Sequence, residues 1–174
     1  MNSKRKGSKW ERQVAKFFTE WTGYEFGRTP QSGAYHRNQD LGSDLICNDE
    51  KHAHRCKISI ECKSYRDIRF EHILLGNKRC DILEFWEQAS RDARRTKKIP
   101  ILCMRYNSMP KGQFFFVVDS GMYKGVIGAI SCTHLNITIN DGNTGMVLMV
   151  FMSNDIKNNV DYKLFHKEAK RLLK

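Results

Sequence analysis

The sequence predicts a mixed α/β domain, a sheet flanked by helices, and three observations carry that expectation. Two stretches repeat apolar residues at helical spacing: Trp10, Val14, Phe17, Phe18 and Trp21, then Ile82, Phe85, Trp86, Ala89 and Ala93. Short apolar runs of strand length lie between and after them. The helical segments fall near the start, the middle and the end of the chain with strand-like runs between them, which suits a sheet flanked by helices. With 174 residues, 40% hydrophobic and 28% charged, the chain is long and apolar enough to bury a sizeable core.

The elements are expected in this order. Ser8-Lys9-Trp10-Glu11 has the S-x-x-E form of a capping box opening the first helix, and Gly23 supplies its stop. A polar, Gly-containing loop follows from Gly27 to about Gly42. Leu45-Ile46-Cys47 and then Lys57 to Tyr65 read as the two strands of a hairpin. Asp81-Ile82-Leu83-Glu84 is a second capping box before the second helix. Pro100 marks the exit into a strand over 101–106, Pro110 and Gly112 punctuate a turn, and Gln113 to Val118 is a strand. Up to three further short strands are expected, over 125–131, 137–139 and 146–151. A basic helix, about Asp161 to Leu173, closes the chain with Leu164, Phe165, Ala169, Leu172 and Leu173 inward. Residues 1–119 then form the core and 120–174 a β-rich and helical extension packed on the same domain.

Thirty Lys and Arg against nineteen Asp and Glu give a net charge of +11 and a pI near 9.5. That excess suits a polyanion, because Lys and Arg release condensed counterions when they neutralise phosphates. The basic residues cluster over Lys4 to Arg12, Arg91 to Lys98 and Lys163 to Lys174. The helical clusters read equally as solvated faces. No membrane partner is expected: the apolar run Met146 to Met152 is too short to span a bilayer. Six cysteines (Cys47, Cys56, Cys62, Cys80, Cys103, Cys132) mostly sit singly inside apolar runs, and no apolar segment follows the basic tip. A reducing, cytoplasmic setting is expected, nucleoid-associated or in the host cytoplasm if viral.

The chemistry concentrates in Ile58-Ser59-Ile60-Glu61-Cys62-Lys63. Alternation along a strand sends Ile58, Ile60 and Cys62 to one face and Ser59, Glu61 and Lys63 to the other. Asp44 enters the preceding strand, directly before Leu45-Ile46, and is preferred to Asp40 for that reason. Two carboxylates with an adjacent amine fit a hard divalent cation. Mg²⁺ takes one or two carboxylates plus phosphate and water. Asp44 and Glu61 supply the carboxylates, the main-chain carbonyl of Cys62 a third oxygen, and Lys63 orients a water or offsets charge on the phosphoryl oxygens. The pattern Glu-x-Lys is weak alone, since alternating charges are common on a solvated strand face.

Four pieces in the right order make the chain resemble the PD-(D/E)XK nucleases, most of all the archaeal-type Holliday-junction resolvases. They are Lys6 to Ala15 with Glu11, Arg28 through Ser32-Gly33-Ala34, Gly42-Ser43-Asp44-Leu45-Ile46, and Ile60-Glu61-Cys62-Lys63-Ser64. The resemblance covers about Lys6 to Asp119. It implies a restriction-endonuclease-like core, with a central mixed β-sheet flanked by helices. It places Glu11 at the metal site through water and Ser32 near the scissile phosphate. It also implies Mg²⁺ (Mn²⁺ substituting), a homodimer and branched DNA. Ser43 stands where the family usually has proline, and the segment between Asp44 and Glu61 is longer than in compact resolvases.

Plainer readings stand beside these. Glu11 is also the natural partner of Ser8 in a capping box. Ser32 is also an ordinary turn residue, and Gln88 is expected to be exposed. Lys9, Arg12, Arg28 and Arg37 are the cations expected nearest DNA. Cys47, His52, His54 and Cys56 sit within ten residues, but C-x4-H-x-H-x-C matches no common zinc finger, so structural Zn²⁺ is not expected. The sequence therefore reads as a Mg²⁺-dependent endonuclease on branched DNA. The alternatives are a restriction-type or viral nuclease on duplex DNA, and a nuclease-fold protein that binds without cutting.

Overall fold

A computed structural model describes residues 3–29, 42–75, 81–127, 132–140 and 145–174. Helix α1 spans Ser3–Thr22, so Ser8 lies inside it, which corrects the capping-box reading. Lys4, Arg5, Lys6 and Lys9 are good helix formers and carry the helix past the expected start. Glu11 is thereby released from a capping role. Gly23, at φ 75°, ends the helix in the left-handed conformation that glycine takes without strain, and its N–H donates to the Thr19 carbonyl.

The apolar stripe of α1 packs on one face of a seven-stranded sheet of order β1-β2-β3-β4-β5-β7-β6. Strands β1 (Phe26–Arg28), β2 (Leu45–Cys47) and β3 (Ile58–Tyr65) form an antiparallel meander. The first corrects the expected polar loop after Gly27. A three-residue strand with a central glycine has too few alternating positions to be legible. Its anchor is Phe26, buried against Phe18 at 5.6 Å between ring centroids. The expected hairpin of β2 and β3 is present, with a short helix α2 (Glu50–Ala53) at its tip. Asp49 caps it by accepting from the His52 N–H.

Helices α3 (Glu71–Leu74) and α4 (Asp81–Thr96) precede β4 (Ile99–Tyr106), which runs parallel to β3. Parallel strands need such a crossover, and α4 provides it while covering the second face of the sheet. Strand β5 (Phe115–Asp119) follows. The expected strand over 125–131 is corrected for its described part: α5 (Ser120–Met122) and a π-helical turn (Tyr123–Ile127) stand there. Asp119 Oδ1 accepts from the Gly121 N–H at 2.7 Å and bends the chain as β5 ends, while Met122 is fully buried.

Strands β6 (His134–Asn140) and β7 (Gly145–Met152) complete the sheet, β7 pairing with β5. A short helix α6 (Ser153–Asn159) was not legible, because Ile156 is its single buried apolar side chain. Helix α7 (Tyr162–Leu172) follows, capped by the Asp161 carboxylate. Tyr162, Phe165, His166 and Ala169 point inward, whereas Leu164, Leu172 and Leu173 are exposed, which corrects the predicted face. The Trp21 indole N–H donates to the Val160 carbonyl at 2.7 Å, tying α1 to the link between α6 and α7. Among the described residues no helix is long and apolar enough to cross a membrane.

Candidate active site

Strand β3 alternates as its sequence demands. Ile58 and Ile60 enter the core under α1, with Cys62 packed against it. Ser59, Glu61 and Lys63 take the opposite face, but that face is not open to solvent. Helix α4 covers it, and Glu61 is only 4% exposed. A buried charge requires partners, and Glu61 has two. Lys63 Nζ lies 2.7 Å from Glu61 Oε1, and Gln88 Nε2 donates to the same oxygen at 2.8 Å. Gln88 Oε1 in turn accepts from Lys63 Nζ at 2.8 Å, closing a ring of three side chains. The Phe85 ring, one helical turn before Gln88, lies 5.5 Å from the ammonium. The expectation of an exposed Gln88 is thereby corrected. The apolar stripe of α4 predicted which face is buried, but not that Gln88 sits at the margin where β3 turns polar.

Asp44 is held by its backbone before its side chain acts. Its N–H donates to the Ile60 carbonyl at 3.0 Å, and its carbonyl accepts from Thr29 at 2.9 Å. The register Leu45 to Ile60 then brings Asp44 beside Glu61. Asp44 Oδ2 accepts from the Cys62 N–H at 2.7 Å. Just before it, Gly42 allows a close approach to α4: a Cβ there would stand 3.1 Å from the Asp92 carbonyl oxygen. Glu11 reaches the region from α1, where its Oε2 accepts from Arg28 Nε.

Burial and crowding set the electrostatics. Desolvation, then the nearby Asp44 carboxylate, push Glu61 up to about 7, against the pull of Lys63. Asp44 is also raised, first by burial and then by Glu11, although the Cys62 N–H pulls the other way. Carboxylates that repel one another in a partly desolvated site favour a cation between them. Among the described residues no three His, Cys, Asp or Glu side chains converge as an all-protein cage. Two carboxylates with a nearby main-chain carbonyl fit Mg²⁺, which keeps waters and substrate oxygens in its shell.

The other sequence-predicted residues are placed as follows. Lys9 and Arg12 lie on α1, with Lys9 beside a groove that Ser64 also lines and Arg12 beside one that Arg28 lines. Arg28 is engaged with Glu11. Ser32 and Arg37 lie outside the described residues. His52 is buried, stacked on Tyr24 at 3.7 Å, with a ring nitrogen 3.0 Å from the Tyr162 hydroxyl. His54 is exposed and accepts from Arg55, Cys56 is in the core, and Cys47 packs against it.

No solved structure matches the chain. Protein D14 of Escherichia phage T5 is 28% identical over 120 residues, covering 69% of this chain and 72% of that protein. A family described as "Phage putative PDDEXK endonuclease" matches residues 2–167, which takes in the whole sheet and the Asp44, Glu61 and Lys63 constellation. On that span the chain belongs to this family of phage PD-(D/E)XK endonucleases.

Proposed function

We propose that the protein is a metal-dependent endonuclease that hydrolyses DNA phosphodiester bonds. The observation that carries this reading is Glu61, buried beside Asp44 and bonded to both Lys63 and Gln88. A protein that only bound DNA would need cations, not a pair of crowded, half-desolvated carboxylates.

Asp44 and Glu61, with the Cys62 main-chain carbonyl, would hold Mg²⁺, or Mn²⁺ in its place. Such an ion polarises the scissile phosphate and lowers the pKa of a bound water. The protein supplies the rest. Lys63 holds the attacking water and offsets charge as it develops on the phosphoryl oxygens. Gln88 fixes Lys63 and Glu61 relative to each other. Glu11 adds negative charge beside Asp44 and is held by Arg28. Ser32 assists at the phosphate.

The phage family supports the viral, duplex-cutting reading ahead of the junction-resolving one. Branched DNA is the second reading, favoured by the resemblance of Arg28 through Ala34 to the resolvase loop. Cutting both strands symmetrically calls for two such sites, so a two-fold homodimer is part of the proposal. The test is a panel of duplex, four-way junction, flap and single-stranded DNA with Mg²⁺ or Mn²⁺, beside Asp44→Asn and Lys63→Ala. Metal-dependent nicking, lost in both variants with DNA binding kept, is expected. Preference for the junction would select the second reading, and no cleavage of any substrate would overturn both.

A further inference from the structure

Two grooves flank α1, and their charges differ in kind. One is lined by Arg12, Lys16, Glu20 and Arg28. Its cations are partly spent: Arg28 holds Glu11, and Lys16 lies 3.7 Å from Glu20. The other groove, about 350 Å³, runs under the first half of α1 at the carboxyl ends of β3 and β4. Lys9, Trp10, Gln13, Ser64, Arg105 and Lys111 line it. Among the described residues no carboxylate pairs with any of its three cations.

Arg105 is held in a fixed pose by neutral groups. Its guanidinium lies over the Trp10 ring at 5.3 Å and makes long hydrogen bonds to Gln13 Oε1 and the Met109 carbonyl. A guanidinium has five N–H donors, so most remain for a ligand. Trp10 adds a second observation. It is 3% exposed, and its indole N–H is the one buried side-chain polar atom without an acceptor among the described residues. The groove therefore offers donors and positive charge with no acidic counterpart, which suits an oxyanion.

Its position says which oxyanion. Ser64 lies two residues beyond Cys62 on the same face of β3, about 6.6 Å further along the strand at the usual rise. That is close to two steps of a DNA strand at about 3.4 Å rise each. Lys9 stands on the flank of α1 that faces this groove, away from the flank that carries the Glu11–Arg28 pair. We infer that this groove is a phosphate subsite, holding a backbone phosphate within about two nucleotides of the scissile one and running the cleaved strand from the Asp44 and Cys62 edge of the site towards Arg105 and Lys111. The inference rests on the endonuclease reading above.

The test measures duplex DNA binding by fluorescence anisotropy without metal, across a salt series, for the whole protein. Lys9→Gln/Lys111→Gln is compared with Lys163→Gln/Lys167→Gln on α7, which removes equal charge elsewhere. The groove variant should bind at least tenfold more weakly at moderate salt, with a salt slope about two units shallower. The control should change the affinity by no more than about twofold and the salt slope by less than about half a unit. Arg105→Lys, with unchanged melting temperature, should keep the salt slope but lower single-turnover cleavage about tenfold, since an ammonium lacks the planar fork. If the wild type binds or cuts no DNA, the endonuclease reading fails and takes this one with it. If the wild type cuts while groove and control variants behave alike, the subsite alone is wrong.

Discussion

Gln88 donates to Glu61 Oε1 at 2.8 Å, so a crossover helix and a central strand meet in one hydrogen bond. The bond is part of a ring with Lys63, which suits Gln88 to hold the acid and the amine relative to each other. Gln88→Ala should lower the cleavage rate by about 10–100-fold, the usual loss when a partner that orients a ligand is removed. DNA affinity should stay within about twofold, and Gln88→Glu should not rescue, because a second acid there repels Glu61. Single-turnover kinetics beside anisotropy separate the two effects.

Lys63→Ala should reduce the rate more, by about 10²–10³-fold, if the ammonium stabilises charge in the transition state. Binding of DNA should survive. Single-turnover cleavage against metal concentration checks this, since a loss repaired by more metal would point to metal binding instead of chemistry.

The raised Glu61 predicts a definite pH dependence. Its folded value, about 7, lies above the ordinary 4.5, so the unfolded chain ionises first as pH rises. Metal-free protein should therefore lose stability between about pH 4.5 and 7, with no further loss from this group above that. Glu61→Gln should remove that slope and melt higher than wild type at pH 8, by roughly 5 °C. Proton and metal compete for the same oxygens, so Mg²⁺ should bind about tenfold more weakly at pH 6 than at pH 8. Calorimetric melting and titration at the two pH values test both statements.

His52 and His166 act in the opposite sense. Burial lowers both below the ordinary imidazole range. The unfolded chain then binds more protons in acid, so their contribution is complete above about pH 6.5 and is lost as pH falls below it. His52→Phe keeps the stack on Tyr24 while removing the titration, and should flatten the acid limb of the melting profile.

The core offers a check on how firmly α1 is held. Phe18 is fully buried among Trp21, Phe26 and Phe116. Phe18→Ala should cost about 3–5 kcal/mol, read as a lower urea midpoint.

Most of the architecture was legible where periodicity is long. The stripe from Trp10 to Trp21, the alternation from Ile58 to Lys63 and the stripe from Ile82 to Ala93 each predict their element and its buried face. Short elements escaped, because β1 and α6 have one or two anchoring residues each. Leu164, Leu172 and Leu173 are exposed, against the predicted face, because apolar identity alone does not say which side of a helix is covered. Asp44, Glu61 and Lys63 were legible as a spacing. What the spacing could not disclose is that Glu61 is buried by α4, because that depends on a helix more than twenty residues away. The same helix hides Gln88 from any reading of local pattern.

The parallel pairing of β3 and β4 has a kinetic consequence. Strands β3 and β4 can pair only after 81–96 has folded back across the sheet, and closing such a loop is slow compared with forming a hairpin. Gln88 travels on that same segment. On a growing or refolding chain, Asp44 and Glu61 can come together early through local pairing, but Glu61 meets Gln88 only when the crossover docks. Burial of the acid, its altered titration and the fixed lysine then arrive together, when the crossover docks.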